Sequence, residues 1–135
     1  MSRRISIVGG GMVGASLALA LQPQARQRGW RIELIEAQPP ASGALQPSFD
    51  ARSTALSHGS RLLFERLGVW ASVQAEAAPE PIRQIHVSDR GHPGVTRLHA
   101  EQERVPALGY VVENAQLGRA LLGALDERVV QWQAP

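Results

Sequence analysis

Apolar positions along the chain fall in short blocks whose spacing switches between the strand and helix periods. Residues 3–8 (RRISIV) form a β-branched run that ends in glycines, which predicts a buried strand. Residues 12–21 (MVGASLALAL) are rich in Ala and Leu and predict a helix that Pro23 and the polar stretch after it bring to a close. Gly29 then precedes residues 30–35 (WRIELI), a second strand. Strand, helix and strand in this order make a βαβ unit, which implies a parallel pair joined by a right-handed crossover. Residues 37–52 hold three prolines and several small polar residues and read as a long loop. Leu62, Leu63, Phe64 and Leu67 stand at helical spacing within 59–67, with Gly68 as a stop, and a further short helical turn is expected in 69–78.

From Ile82 the period shortens to that of strands. Two strand-like runs flank Asp89-Arg90-Gly91-His92-Pro93-Gly94, so residues 82–99 predict a β-hairpin. Asp89 and Arg90 read as a turn that carries an ion pair. Residues 108–112 predict a strand. Residues 114–125 predict an amphipathic helix with Leu117, Leu121, Leu122 and Leu125 on one face, and 129–132 begin another strand. No internal repeat or low-complexity tract interrupts the series.

Composition narrows the function classes. A chain of 135 residues, 44% hydrophobic and 19% charged, fits one globular domain. The absence of cysteine removes disulfides, thiolate catalysis and zinc-thiolate or iron–sulfur sites. Net charge is only +2 although the pI is near 10.4, because all 14 basic residues are arginine. These arginines are scattered and aromatics make up 4%, so the footprint of nucleic-acid binding is missing. His58, His86, His92 and His99 lack metal-ligand spacing, and no metal site is expected. Neither a secretory signal nor an apolar run of membrane-spanning length is present, and a cytoplasmic protein is the expectation.

The chemistry-bearing signal is Gly9-Gly10-Gly11-Met12-Val13-Gly14, which fits G-x-G-x-x-G. In such a loop the first glycine allows the tight strand-to-helix turn. The second admits a pyrophosphate close to the backbone, and the third lets helix and strand pack closely. The phosphates rest on amides at the helix N-terminus. Glu36 lies 22 residues beyond Gly14, where a carboxylate accepts hydrogen bonds from a ribose diol and disfavours a 2′-phosphate. Loop, strand, helix and acid together predict a dinucleotide site, but do not separate FAD from NAD.

The segment FDARSTALSHGS at 49–60 resembles the one after the second strand in FAD-dependent aromatic hydroxylases of ubiquinone biosynthesis. IVGGGMVGASLALAL near the start, HVSDRGH at 86–92 and LGYVVEN at 108–114 agree with that branch, most closely with its 2-octaprenyl-6-methoxyphenol hydroxylase type. The resemblance covers the whole chain, as the N-terminal third of such an enzyme. It implies an α/β fold: a Rossmann-like FAD-binding βαβ domain with a parallel sheet, plus the 82–99 hairpin directed toward a largely absent substrate domain. Residues 1–135 are then a partial FAD-binding domain. The family's downstream Asp-Gly and Gly-Asp pairs are absent from this chain, which is therefore expected to be a fragment without activity of its own.

Carried over by position, the resemblance implies that Gly9, Gly11 and Gly14 hold the FAD pyrophosphate and Glu36 the adenosine ribose. Arg52 matches an arginine that reaches the cofactor near its phosphates and flavin. Asn114 matches a position that contacts the ribityl or phosphate region, with Gln116 as the alternative if the register is off. Taken alone, Arg52 also reads as a solvated loop residue and Asn114 as a helix N-cap. The implied activity is monooxygenation of a polyprenylated phenol with O2, and NAD(P)H as reductant. Peripheral association with the inner membrane, or with a ubiquinone-biosynthesis complex, is implied for the full-length enzyme. No side chain is identified as a general base. A non-hydroxylating FAD- or NAD-dependent oxidoreductase and a non-catalytic nucleotide-binding module remain as alternatives.

Overall fold

Two sheets and a hairpin are built from elements that the chain visits alternately. The computed structural model describes residues 3–38, 47–76 and 78–134. In chain order the elements are β1 (Arg4–Val8), α1 (Met12–Arg28), β2 (Arg31–Ile35), β3 (Ser53–Ser57), α2 (His58–Arg66) and α3 (Trp70–Glu76). There follow β4 (Glu80–Ile82), β5 (Gln84–Ser88), β6 (Val95–His99), β7 (Gly109–Glu113), α4 (Asn114–Gly123) and β8 (Val130–Gln133). Strands β1, β2 and β8 form a parallel sheet in the order β1-β2-β8, with Ile7 beside Leu34 and Leu34 beside Trp132. The expected βαβ unit is thus present, and β8 extends it on the far side of β2. A second sheet, antiparallel, has the order β3-β7-β4.

Helix α1 lies between two cores, which explains why its apolar residues are not confined to one stripe. Ala18 and Ala25 pack with Ile7, Ile32, Leu34 and Val130 of the parallel sheet. Ala15 and Leu19 turn the other way, toward Phe49, Leu56, Phe64, Val112, Leu117 and Leu121. Small residues on both flanks let the helix approach both layers closely.

Several expectations are corrected. Pro23 does not end the first helix, which runs on to Arg28 and closes at Gly29 with φ 65°. The proline removes one backbone donor. Contacts beyond it compensate: Gln22 accepts from the Asp126 N–H at 2.8 Å, Arg26 pairs with Asp126, and Ala25 is fully buried. Strand β3 lies in the stretch 53–57 (STALS), whose polar content hides it, and β4 contains Pro81. Proline is tolerated there because β4 is an edge strand, paired on one side only, with β7. Ile82 therefore belongs to this sheet, and the hairpin proper joins β5 to β6, with Gln84 opposite His99. In its turn Asp89 pairs with the His92 Nδ1 at 3.1 Å rather than with Arg90. Helix α4 stops at Gly123, two residues early, although Leu125 still packs on both cores. The loop expected over 37–52 falls partly outside the described residues.

Candidate functional site

At the carboxyl ends of β1 and β2 the glycine loop and Glu36 are joined directly. Gly9 has φ 93°, a conformation that L side chains rarely adopt, and its N–H donates to the Ile35 carbonyl at 2.8 Å. This turn carries the chain from β1 into α1. Gly14 faces the turn from the helix: a Cβ there would lie 1.8 Å from the Gly9 carbonyl oxygen. The close helix–strand approach attributed to the third glycine is therefore a steric fact of this fold. Gly11 caps α1 at φ −71°, ψ −165°, so the backbone itself does not demand glycine there. Helix α1 carries no acidic side chain in its own first turn, so the carboxylate nearest the positive end of its dipole comes from outside the helix, from Glu36.

Glu36 stands just past β2, with its N–H bonded to the Gln133 carbonyl of β8 at 2.9 Å. Its carboxylate receives the Gly10 N–H at 2.9 Å on Oε2 and the Gln38 N–H at 3.2 Å on Oε1. The acid is therefore oriented by the loop it was expected to serve, and loop and acid hold each other in register. Gly10 is tightly enclosed as well. A Cβ on it would come within 2.2 Å and 2.7 Å of the Trp132 ring and 3.5 Å of the Glu36 Cβ.

Arg52 and Asn114 form a second group, linked through a residue that sequence reasoning missed. Asp50 accepts the Arg52 N–H at 2.9 Å on Oδ1 and the Arg52 Nε at 2.6 Å on Oδ2. Asp50 Oδ1 also faces the Asn114 amide at 3.4 Å. These donors, the Arg52 backbone first, hold the Asp50 carboxyl below its ordinary value. Asn114 is 8% exposed and does not cap its helix; Glu113 occupies that position. Its Oδ1 instead accepts the Thr54 hydroxyl at 2.5 Å. The backbone of the same loop docks on α4, the Asn114 and Ala115 N–H groups donating to the Arg52 and Asp50 carbonyls at 2.8 and 2.9 Å. Phe49 completes the anchor by packing so closely on Gly118 that a Cβ there would meet its ring at 2.4 Å. The Arg52 side chain, 76% exposed, projects from this base. Gln116 is half-buried on α4. Ala15, Phe49 and Leu117 belong to one core, and Met12 packs against it.

The sequence offered a weak pointer to Asp50, two residues before an arginine, and none to Trp132, whose role needs the pairing of β8 with β2. Among the described residues no group of three or more His, Asp or Glu side chains is placed to hold a metal ion. No helix among them is long and apolar enough to cross a membrane.

The glycine loop fits a dinucleotide. Gly9 adopts its turn with open space where a Cβ would stand, Gly14 seats the helix against it, and a fixed carboxylate lies beside them. Comparison with known proteins points the same way. The family described as FAD dependent oxidoreductase matches residues 4–129. The 3-demethoxyubiquinol 3-hydroxylase of Escherichia coli (strain K12) is 39% identical over 122 residues, which cover 90% of this chain and 30% of that protein. The ubiquinone hydroxylase UbiL of Rhodospirillum rubrum is 33% identical over 121 residues, 90% of this chain and 26% of its own. The chain thus spans under a third of the length of these relatives. Among solved structures, the anhydrotetracycline hydroxylase OxyS from Streptomyces rimosus superimposes with a TM-score of 0.66 at 19% identity, covering 99% of this chain and 24% of that one. That likeness is one of fold.

Proposed function

The chain belongs to the FAD-dependent oxidoreductases, and from that premise we propose that it is the FAD-holding part of a flavoprotein monooxygenase that hydroxylates a polyprenylated phenol in ubiquinone biosynthesis. The observation that carries this reading is the junction of the glycine loop with Glu36, the Gly10 N–H donating to its carboxylate at 2.9 Å. The names of the relatives at 39% and 33% identity support the substrate class.

On this reading Gly9, Gly11 and Gly14 and the first turn of α1 receive the pyrophosphate. Glu36 accepts the hydroxyls of the adenosine ribose, its orientation already set by Gly10 and Gln38. Arg52 supplies a cation toward the phosphate and flavin side, held in place by Asp50. Asn114, committed to Thr54 and Asp50, acts by fixing that loop, and Gln116 stands on the same helix as the alternative contact. Bound FAD would supply the redox chemistry by which a phenol ring is hydroxylated with O2, NAD(P)H serving as reductant. The prenyl tail of such a substrate partitions into lipid, so the whole enzyme works at the inner membrane surface or within a ubiquinone-biosynthesis complex.

The test is a chimera in which this chain replaces the matching 122 residues of the Escherichia coli relative. It is expected to retain FAD through gel filtration and to oxidise NAD(P)H and consume O2 in step with hydroxylation of a prenylated phenol. A folded chimera that retains no flavin, or oxidises NAD(P)H without any hydroxylated product, would refute the proposal.

A further inference from the structure

Gly10 is the variable position of the G-x-G pair, and the phosphate-loop argument gives no reason for glycine there. The fold supplies one. A Cβ on Gly10 would stand 2.2 Å from Cζ3 and 2.7 Å from Cη2 of Trp132, so the indole rests on the bare backbone of the loop. Trp132 comes from β8, which is beside β2 in the parallel sheet, next to Leu34. The carboxyl end of β8 therefore opens on the same crevice as those of β1 and β2, where ligands of parallel α/β sheets bind. The main chain locks the three parts together, because the Glu36 N–H bonds to the carbonyl of Gln133, the residue after Trp132. Gly10, which carries the indole, is also the residue whose N–H holds the Glu36 carboxylate. The indole is only partly buried, so the packing on Gly10 leaves some of its surface open.

We propose that Trp132 is the aromatic wall of the adenosine end of the site, contacting the purine of an adenine nucleotide whose ribose is held by Glu36. This deepens the dinucleotide reading and rests on it. A purine has an apolar face that an indole covers and a hydrogen-bonding edge that it leaves free. Contact of this kind adds affinity without demanding a polar partner. An aliphatic residue would fill the space over Gly10, but would not give an extended flat surface beside Glu36.

The probe is ADP, titrated into this chain and followed by the indole N–H signals of Trp30, Trp70 and Trp132 in heteronuclear NMR, with Trp132→Phe assigning the third. FMN, which lacks adenosine, is the control. ADP is expected to shift the Trp132 signal and leave those of Trp30 and Trp70 in place, while FMN moves none of them. Trp132→Ala is expected to weaken ADP roughly tenfold, and Trp132→Phe no more than about threefold. Binding of ADP that leaves the Trp132 signal unmoved overturns the inference alone, as does wild-type affinity in Trp132→Ala. Should Trp132→Ala fail to fold, the wild-type spectrum still decides. Absence of any ADP binding at millimolar concentration overturns the dinucleotide reading itself, and this inference with it.

Discussion

Replacing Gly14 by Ala is a one-carbon change whose cost can be read from the structure. The new methyl would lie 1.8 Å from the Gly9 carbonyl oxygen and 3.0 Å from its carbon. An ordinary contact is roughly 3.5 Å, so more than 1 Å must be found. Neither partner is the flexible end of a side chain. Gly9 is fixed by its bond to the Ile35 carbonyl, and the start of α1 is fixed by Ala15 and Ala18, both fully buried. Relief requires α1 to move off β1, which loosens both cores the helix separates. Overpacking of this kind costs about 3 kcal/mol, offset by about 1 kcal/mol because alanine favours the helix. We expect a net loss of about 2 kcal/mol, seen as a lower urea midpoint by far-UV circular dichroism. In thermal melts the fall in Tm should be roughly 8 °C. Gly14→Ala as stable as wild type, or more so, would refute the reasoning, since only the propensity gain would then remain.

Other substitutions separate ligand binding from stability. Gly11→Val should leave the fold nearly intact, because the backbone at φ −71° accepts any residue, yet abolish FAD binding in the chimera; a yellow purified variant counts against the pyrophosphate assignment. Glu36→Ala removes a charge-assisted acceptor and should weaken ADP by about 1.5–3 kcal/mol, measured by calorimetry; unchanged affinity would exclude Glu36 from the ribose site. Gly118→Ala places a methyl 2.4–2.8 Å from atoms of Phe49 and should lower stability by about 1–3 kcal/mol, checked by urea denaturation. Acid should destabilise the chain through Asp50 and Asp126, both held below the ordinary value of 3.8, the latter chiefly by Arg128. Carboxyls depressed in the folded state stabilise it fully above that value and lose the contribution as pH falls below it. Stability should therefore be level from pH 7 to about 5 and decline below 4, with a shallower decline in Asp126→Asn.

The parts legible in the sequence were those set by neighbours along the chain. Glycines between a β-branched run and an Ala/Leu run can mean little other than a strand, a tight turn and a helix. The apolar positions of α4 likewise declare a buried face, Leu117 and Leu121, whereas in α2 only Phe64 is buried and Leu63 is exposed. What escaped depended on partners far away. The stretch STALS becomes β3 because β7 offers it a ladder, Leu56 opposite Tyr110, and nothing local says so. Pro23 stays helical because Gln22 and Arg26 are gripped by residues 124–126. Asn114 fits a cap in the sequence, yet the approach of Asp50 and Thr54 draws it inward. Glu36 is singled out by its spacing in the sequence, but its anchoring by Gly10 belongs to three dimensions.

The pairing of β2 with β8 also sets a clock. The Glu36 N–H bonds to Gln133, and β2 meets no strand on that side until residues 130–133 arrive. At roughly 10 residues per second, a ribosome needs about ten seconds to go from the acid to its strand partner. Through that interval β1, α1 and β2 exist as a half-assembled unit with an open sheet edge, the state in which nascent chains are most exposed to wrong pairing. The antiparallel layer of β3, β4 and β7 is completed in the meantime, so it can form first and present the surface on which α1 settles. Whatever β2 meets in that interval, its pairing on this edge waits for residues 130–133.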